Sequence, residues 1–161
     1  MSRIITAALV AAFTSAATIG LAQHDHHPHS QPHGQQAATD TREFVRFPEP
    51  LIEHTLANMR DHLAALQEIQ EHLGMGQTDA AAQISEKRLG ISSLGLHGAH
   101  EVAKFMPQGM QDAGTAMHRA ASQFATIATD AGVTGDMKPA LTALARVTAA
   151  CVGCHAGYRF K

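Results

Sequence analysis

The chain has 161 residues, of which 45% are hydrophobic and only 4% aromatic, and it contains no tryptophan. Its 12 lysines and arginines face 14 acidic residues, which gives a formal net charge of −2. This length suits one globular domain. The slightly acidic balance gives no electrostatic basis for binding nucleic acid, so we exclude that class of partner.

Residues 1–22 have the organisation of a secretory signal peptide. Arg3 makes the start basic, residues 4–22 are apolar and rich in alanine, and small residues precede Gln23. This pattern predicts export followed by cleavage. The alternative is a membrane anchor, because the apolar run approaches spanning length. We expect no other spanning segment, and so no stable membrane insertion once the leader is removed.

Residues 23–44 follow as a polar segment that is rich in histidine, proline and glycine and is predicted to be disordered. Such tracts suit copper, nickel or zinc, so weak binding of divalent metal is one interpretation. The other is a solvated tail whose histidines only titrate. The candidate ligands are His24, His26, His27, His29 and His33.

Residues 45–161 contain four predicted helices with short connections, an order typical of an up-down-up-down bundle. The first is bounded by prolines at its start and by Gly74 and Gly76 at its end. Around residues 90–100, glycines predict a broken helix or loop. The predicted helices are A (Glu49 to Leu73), B (Ala80 to about Leu89), C (Pro107 to about Ala131) and D (from a cap at Asp136 onwards).

Apolar residues at spacings of three and four predict the inward face of each long helix. In helix A these are Ile52, Leu56, Met59, Leu63, Leu66, Ile69 and Leu73. In helix C they are Met110, Gly114, Met117, Ala121, Phe124, Ile127 and Ala131. In helix D the inward face is predicted to comprise Leu141, Leu144, Thr148, Cys151, His155 and Tyr158.

The chain's only two cysteines stand in the sequence Cys151-Val152-Gly153-Cys154-His155. Cys-x-x-Cys-His is the attachment sequence of c-type haem. On a helix, residues three apart share a face, so both thiols reach one porphyrin, and His155 then offers an imidazole to the iron as proximal ligand. A redox dithiol would instead follow a strand, and a zinc site would need further ligands.

The ending Cys151-Val-Gly-Cys154-His155-Ala-Gly-Tyr158-Arg159 resembles the cytochrome c prime group, including its low-spin, Met-ligated relatives. The resemblance implies an all-α, antiparallel four-helix bundle over residues 45–161, with one covalent haem c on the last helix. It also implies a periplasmic location and periplasmic redox proteins as partners. Many members of the group form homodimers, so the resemblance implies a homodimer as well. Arg159 would lie on the proximal side of the haem; alternatively it is a frayed terminal residue.

The distal side of the iron decides the function. In the family this position comes from helix A, and Met59 is the natural counterpart, giving six-coordinate iron suited to electron transfer. His62 is the other candidate, or a boundary histidine with no such role. Lys87, Arg88, His97 and His100 are candidates to pair with a haem propionate, or are surface charges.

Three functions remain open at this point. The leading one is a periplasmic carrier of single electrons; the second is a five-coordinate haem protein that binds nitric oxide or carbon monoxide. The third is a copper- or zinc-handling protein that uses the histidine-rich segment. We do not expect an enzyme, because no acid–base pair or nucleophile array accompanies the haem motif in the sequence.

Overall fold

The computed structural model describes residues 39–160. The predicted signal peptide and all five histidines of the histidine-rich segment lie outside this range. The described chain is all-α, as expected, apart from two short strands. Its elements are β1 (Glu43–Phe44), α1 (Glu49–Gly74), α2 (Thr78–Arg88), a 3-10 turn (Ile91–Ser93), α3 (Ala99–Ala103), α4 (Gln108–Thr134), α5 (Lys138–Gly157) and β2 (Tyr158–Arg159).

The four long helices begin and end close to the predicted residues, because the prolines and glycines that start and stop a helix act on their immediate neighbours. Pro48 and Pro107 immediately precede α1 and α4. Gly135 takes a left-handed conformation with φ of 77° after α4. The Asp136 carboxylate accepts a hydrogen bond from the Lys138 N–H at 3.0 Å as α5 begins.

A short helix and a pair of short strands were not predicted. The segment after α2 contains α3, a five-residue helix that starts after Gly98. Glu43 and Phe44, in the segment predicted to be disordered, pair in parallel with Tyr158 and Arg159. The ordered domain therefore includes residues before position 45.

The main core is formed where α4 packs against α2 and α5, and α1 against α2. It is rich in alanine, which allows the helix backbones to approach closely. Its buried members are Ala65, Leu66, Ile69, Leu73, Ala81, Ala82, Leu89, Met117, Ala121, Phe124, Ala128, Ala131, Ala140, Ala143, Leu144 and Val147. A smaller second core consists of Val45, Phe47, Val102 and Met110.

Several predicted inward positions were wrong. Leu63 and Leu141 are exposed, at 69% and 55%. Each lies one residue, about 100° of helix rotation, from a buried neighbour: His62 in α1 and Ala140 in α5. The spacing of large apolar residues predicts that Leu63 and Leu141 face inward, whereas the helices turn the neighbouring histidine and alanine inward instead.

Candidate functional site

A cavity of about 490 Å³ adjoins the second core and reaches Met117 of the main core. A volume of this size is typical of sites for small molecules and cofactors. Its wall is largely apolar and is built by α1, the 90–107 segment, α4 and the chain end. The lining includes Thr55, Met59, His62, His97, Gly114, His118, Cys154, His155, Tyr158 and Arg159.

The Cys-x-x-Cys-His sequence, residues 151–155, lies in the last two turns of α5, and part of it faces this cavity. Cys154 and His155 line the cavity, whereas Cys151, one turn earlier, packs against the main core. Both cysteines are free and half-buried, and burial raises the pKa of each thiol. His155 was predicted to lie on the inward, buried face of the helix. It does border the cavity, but its side chain is exposed, so the prediction of burial was wrong.

The chain end beyond α5 is held in place by β1. The Val45 N–H donates to the Arg159 carbonyl oxygen at 2.9 Å, and the Arg159 guanidinium lies 5.2 Å from the Phe44 ring centre. The Arg159 Nε is 3.4 Å from an Asp40 carboxylate oxygen, an ion pair without hydrogen-bond geometry. Arg159 is therefore a fixed part of the cavity wall, and the alternative of a frayed terminus was wrong.

Asp40 sits between two guanidinium groups at the edge of this structure. Hydrogen bonds from Arg42, with a smaller contribution from the charge of Arg159, hold the pKa of Asp40 well below its usual range. The carboxylate thus stays charged under all ordinary conditions. It ties the start of the described chain to the end of α5.

Helix α1 presents both candidate distal ligands to the cavity. Met59 is half-buried, and His62, one turn later, is buried with only 7% of its surface exposed. The interpretation of His62 as a boundary histidine was therefore wrong. Thr55, one turn before Met59, is also buried there, and its hydroxyl has no hydrogen-bond partner among the described residues.

Two further histidines lie beside His62 and were missed as a group. His97 and His118 are also buried, and the three ring centres are 4.5, 5.6 and 5.9 Å apart. We call His62, His97 and His118 the histidine cluster. A usable signal existed for one member, because His118 falls between Gly114 and Ala121 at helical spacing on the inward face of α4. His97 had no periodic signal, because it lies in a loop.

Burial and the proximity of other histidines keep His62 and His97 uncharged. Desolvation, followed by repulsion from His97 and His118, lowers the pKa of His62 to about 4. The pKa of His97 is also lowered, chiefly by burial and then by the nearby His118. At neutral pH both imidazoles are neutral and offer a lone pair to a ligand.

The other basic residues suggested for this region have different surroundings. Arg88 donates to the carboxylates of Asp61 and Glu68 on α1, and so links α2 to α1. His100 is exposed on α3. The structure thus gives Arg88 a bridging role between helices.

By length and hydropathy, α5 would also be long enough to cross a membrane, with a mean hydropathy of 1.2 over its most apolar 18 residues. The sequence-based statement that no second segment could span was therefore too strong. Its buried residues pack in the main core, and a core helix satisfies the same criterion.

No family model, curated protein or solved structure matches this chain.

Proposed function

We propose that this chain is a periplasmic c-type cytochrome that carries single electrons and resembles the cytochrome c prime group. The observation that carries the proposal is the convergence on one apolar cavity of Cys154 and His155 from α5 with Met59 from α1. Together with Cys151, these are the residues that the haem motif and the distal position require, and Met59 comes from a helix far from α5 in the sequence.

The proposal extends to the architecture. The long helices α1, α2, α4 and α5 would form an antiparallel, up-down-up-down four-helix bundle, with the haem held at the end of α5. The contacts of α1 with α2, of α2 with α4 and of α4 with α5 support this arrangement.

The residues present fit a covalently bound haem. Cys151 and Cys154 are free, half-buried and three apart on one helix. Cys154 already borders the cavity, and Cys151 would have to turn from the main core towards it for both thiols to form thioether bonds. The largely apolar wall suits a porphyrin, and the Thr55 side chain in that wall has a buried hydroxyl with no hydrogen-bond partner among residues 39–160. Bound haem c would supply a one-electron iron couple.

The chain's own residues would then bind the haem, orient it and shield it from water. His155 would be the proximal iron ligand and Met59 the distal one, with His62 as the alternative on the same helix face. Phe47 packs against Phe105 and Phe160 at the second core, and Phe160 forms part of the cavity wall. The exposure of His155 would leave the proximal edge accessible to periplasmic redox partners. A homodimer is part of the same proposal.

The decisive test is maturation of the full chain in cells that export proteins and attach haem c. We expect mass spectrometry to show one covalent tetrapyrrole per chain, lost when Cys151→Ala and Cys154→Ala are combined. Val152→Ala is the matched control, since Val152 lies between the cysteines and is 63% exposed. Exported protein without a tetrapyrrole would overturn the proposal.

Absorption spectra of the ferric and ferrous protein then identify the distal ligand. A low-spin spectrum that becomes high-spin in Met59→Ala assigns Met59, and the same change in His62→Ala assigns His62. The unpaired Thr55 hydroxyl favours one competing function, a five-coordinate site that binds nitric oxide or carbon monoxide, because it is a free donor beside the cavity. A high-spin wild-type spectrum would establish that function in place of electron transfer.

A further inference from the structure

We propose that the histidine cluster is a second metal site, separate from the haem iron, which binds a borderline divalent ion such as Zn²⁺ through His62, His97 and His118. Imidazole nitrogen is a preferred ligand of zinc and of copper, and three histidines with one open position form a common zinc coordination set. The proposal does not depend on haem attachment, since neither Cys151 nor Cys154 belongs to the cluster.

The spacing of the cluster matches that coordination. The Nε2 of His62 is 3.4 Å from the Nδ1 of His97. Two nitrogens bound at 2.0–2.1 Å to one tetrahedral ion lie about 3.3 Å apart. Three imidazole rings on such an ion have centres separated by about 5 Å, and the observed separations bracket this value at 4.5, 5.6 and 5.9 Å.

The third ligand is preset by a hydrogen bond outside the cluster. His118 Nδ1 is 2.7 Å from the Leu89 carbonyl oxygen. A carbonyl oxygen only accepts, so the proton is on Nδ1 and the lone pair is on Nε2. Metal-binding histidines usually have their second nitrogen held in this way, because it fixes both the tautomer and the direction of the ring.

His97 is held towards the other two by its backbone. Its carbonyl oxygen accepts hydrogen bonds from Asn58 and His54 of α1, each at 3.0 Å. The next residue, Gly98, has φ of 59°, a conformation that other residues rarely adopt, so the sharp turn is built into the sequence. The Ser93 hydroxyl is 3.5 Å from His97 Nδ1, but it donates its proton to the Gly90 carbonyl oxygen.

The side chains need small rotations to complete the site. As they stand, no three His, Cys, Asp or Glu side chains in residues 39–160 have their ligand atoms in a metal-binding arrangement. His118 is the ring furthest from the other two, at 5.6 and 5.9 Å. All three rings border the cavity, so in the matured protein the site requires that the haem leave the part of the cavity beside these rings free for that rotation and for a water molecule as fourth ligand.

The test uses the full chain in its matured form, with His24, His26, His27, His29 and His33 all replaced by Gln so that the histidine-rich segment cannot bind zinc. We call this protein the tail variant. After equilibration with Zn²⁺ and gel filtration, we expect about one zinc per chain by elemental analysis. Zinc-edge X-ray absorption should show three imidazole nitrogens at about 2.0–2.1 Å.

Adding His118→Gln to the tail variant should weaken zinc binding by at least about 100-fold, because one of the three side chains that coordinate the ion directly is lost. Adding His100→Gln, an exposed histidine of α3, is the control and should leave binding unchanged. No retained zinc, fewer than three imidazole nitrogens, or unchanged binding in a folded His118→Gln protein would overturn the proposal. The nitrogen count decides alone if that variant does not fold.

The same samples separate this proposal from the haem assignment. If His62 were the distal iron ligand, His62→Gln would change the iron spectrum and the tail variant would retain no zinc, so the second metal site would be wrong while the cytochrome proposal stood. A chain without haem that still bound zinc through three imidazoles would give the opposite result.

Discussion

The main core and the cavity share helices α1, α4 and α5, but they use side chains in opposite ways. In the main core, alanines and a few large residues fill the space, and the buried Ser85 hydroxyl donates to the Ala121 carbonyl oxygen at 3.0 Å. In the cavity wall, the Thr55 hydroxyl has no described partner, and three histidines face one another. The main core therefore holds the helices together, and the cavity residues are arranged for a ligand.

Removing a large side chain from the main core should have the largest effect on stability. Phe124 is fully buried. Phe124→Ala should lower the free energy of unfolding by about 3–5 kcal/mol, since both burial and packing are lost. Urea denaturation followed by circular dichroism measures this, with Val133→Ala, 85% exposed on the same helix, as control. A cost below about 1 kcal/mol would show that the main core is not what holds the helices.

The same substitution at two glycines of α4 should separate the two regions. A Cβ at Gly132 would overlap the Thr78 hydroxyl of α2, whereas a Cβ at Gly114, which lines the cavity, meets nothing within 4 Å. We expect Gly132→Ala to cost about 1–3 kcal/mol through overpacking. Gly114→Ala should be neutral or stabilise by up to about 1 kcal/mol, because alanine favours the helix.

Thermal denaturation of both glycine variants checks this contrast. Combining Gly132→Ala with Thr78→Ala should recover most of the loss, because the overlapping hydroxyl is gone. Equal destabilisation by both glycine substitutions would mean that the cavity wall is packed as tightly as the main core.

Two buried hydroxyls provide a finer version of the comparison. Ser85→Ala should cost about 1 kcal/mol, since the Ala121 carbonyl loses its additional donor. Thr55→Val, which keeps the side-chain shape, should be neutral or stabilising in protein without haem, because it removes a buried hydroxyl that has no described partner. Chemical denaturation of both variants measures the difference, and a loss in Thr55→Val equal to that in Ser85→Ala would show that the Thr55 hydroxyl is bonded after all.

Prediction from the sequence was most accurate where the determinants are local. Pro48, Pro107 and Gly135 act on their neighbouring residues, so the helix limits were predicted closely. The histidine cluster was not predicted, because its members are far apart in the sequence and hydrophobicity assigns histidine to the surface. His97 reaches the cavity only through a turn at Gly98, and the pairing of Glu43 and Phe44 with the chain end is equally non-local.

The smallest expected effect concerns Arg88, which links α2 to α1 on the surface of the domain. Its hydrogen bond to Asp61 holds the pKa of Asp61 below the ordinary 3.8. The resulting stabilisation is present above that value and is lost as the pH falls through the lowered pKa. Asp61 is 48% exposed, so solvent screening limits the contribution of the pair to less than about 1 kcal/mol.

Arg88→Met should therefore destabilise the protein slightly at pH 7 and less near pH 2, because the contribution of the pair is lost as the pH falls through the lowered pKa of Asp61. The difference should also shrink in about 1 M salt, where the screening length is only about 3 Å. Urea denaturation at both pH values and both salt concentrations measures it, with Arg119→Met as a control on α4. A loss that is large and unaffected by salt would mean that Arg88 acts through packing of its aliphatic stem against α1, and the helix pair would then belong with the main core.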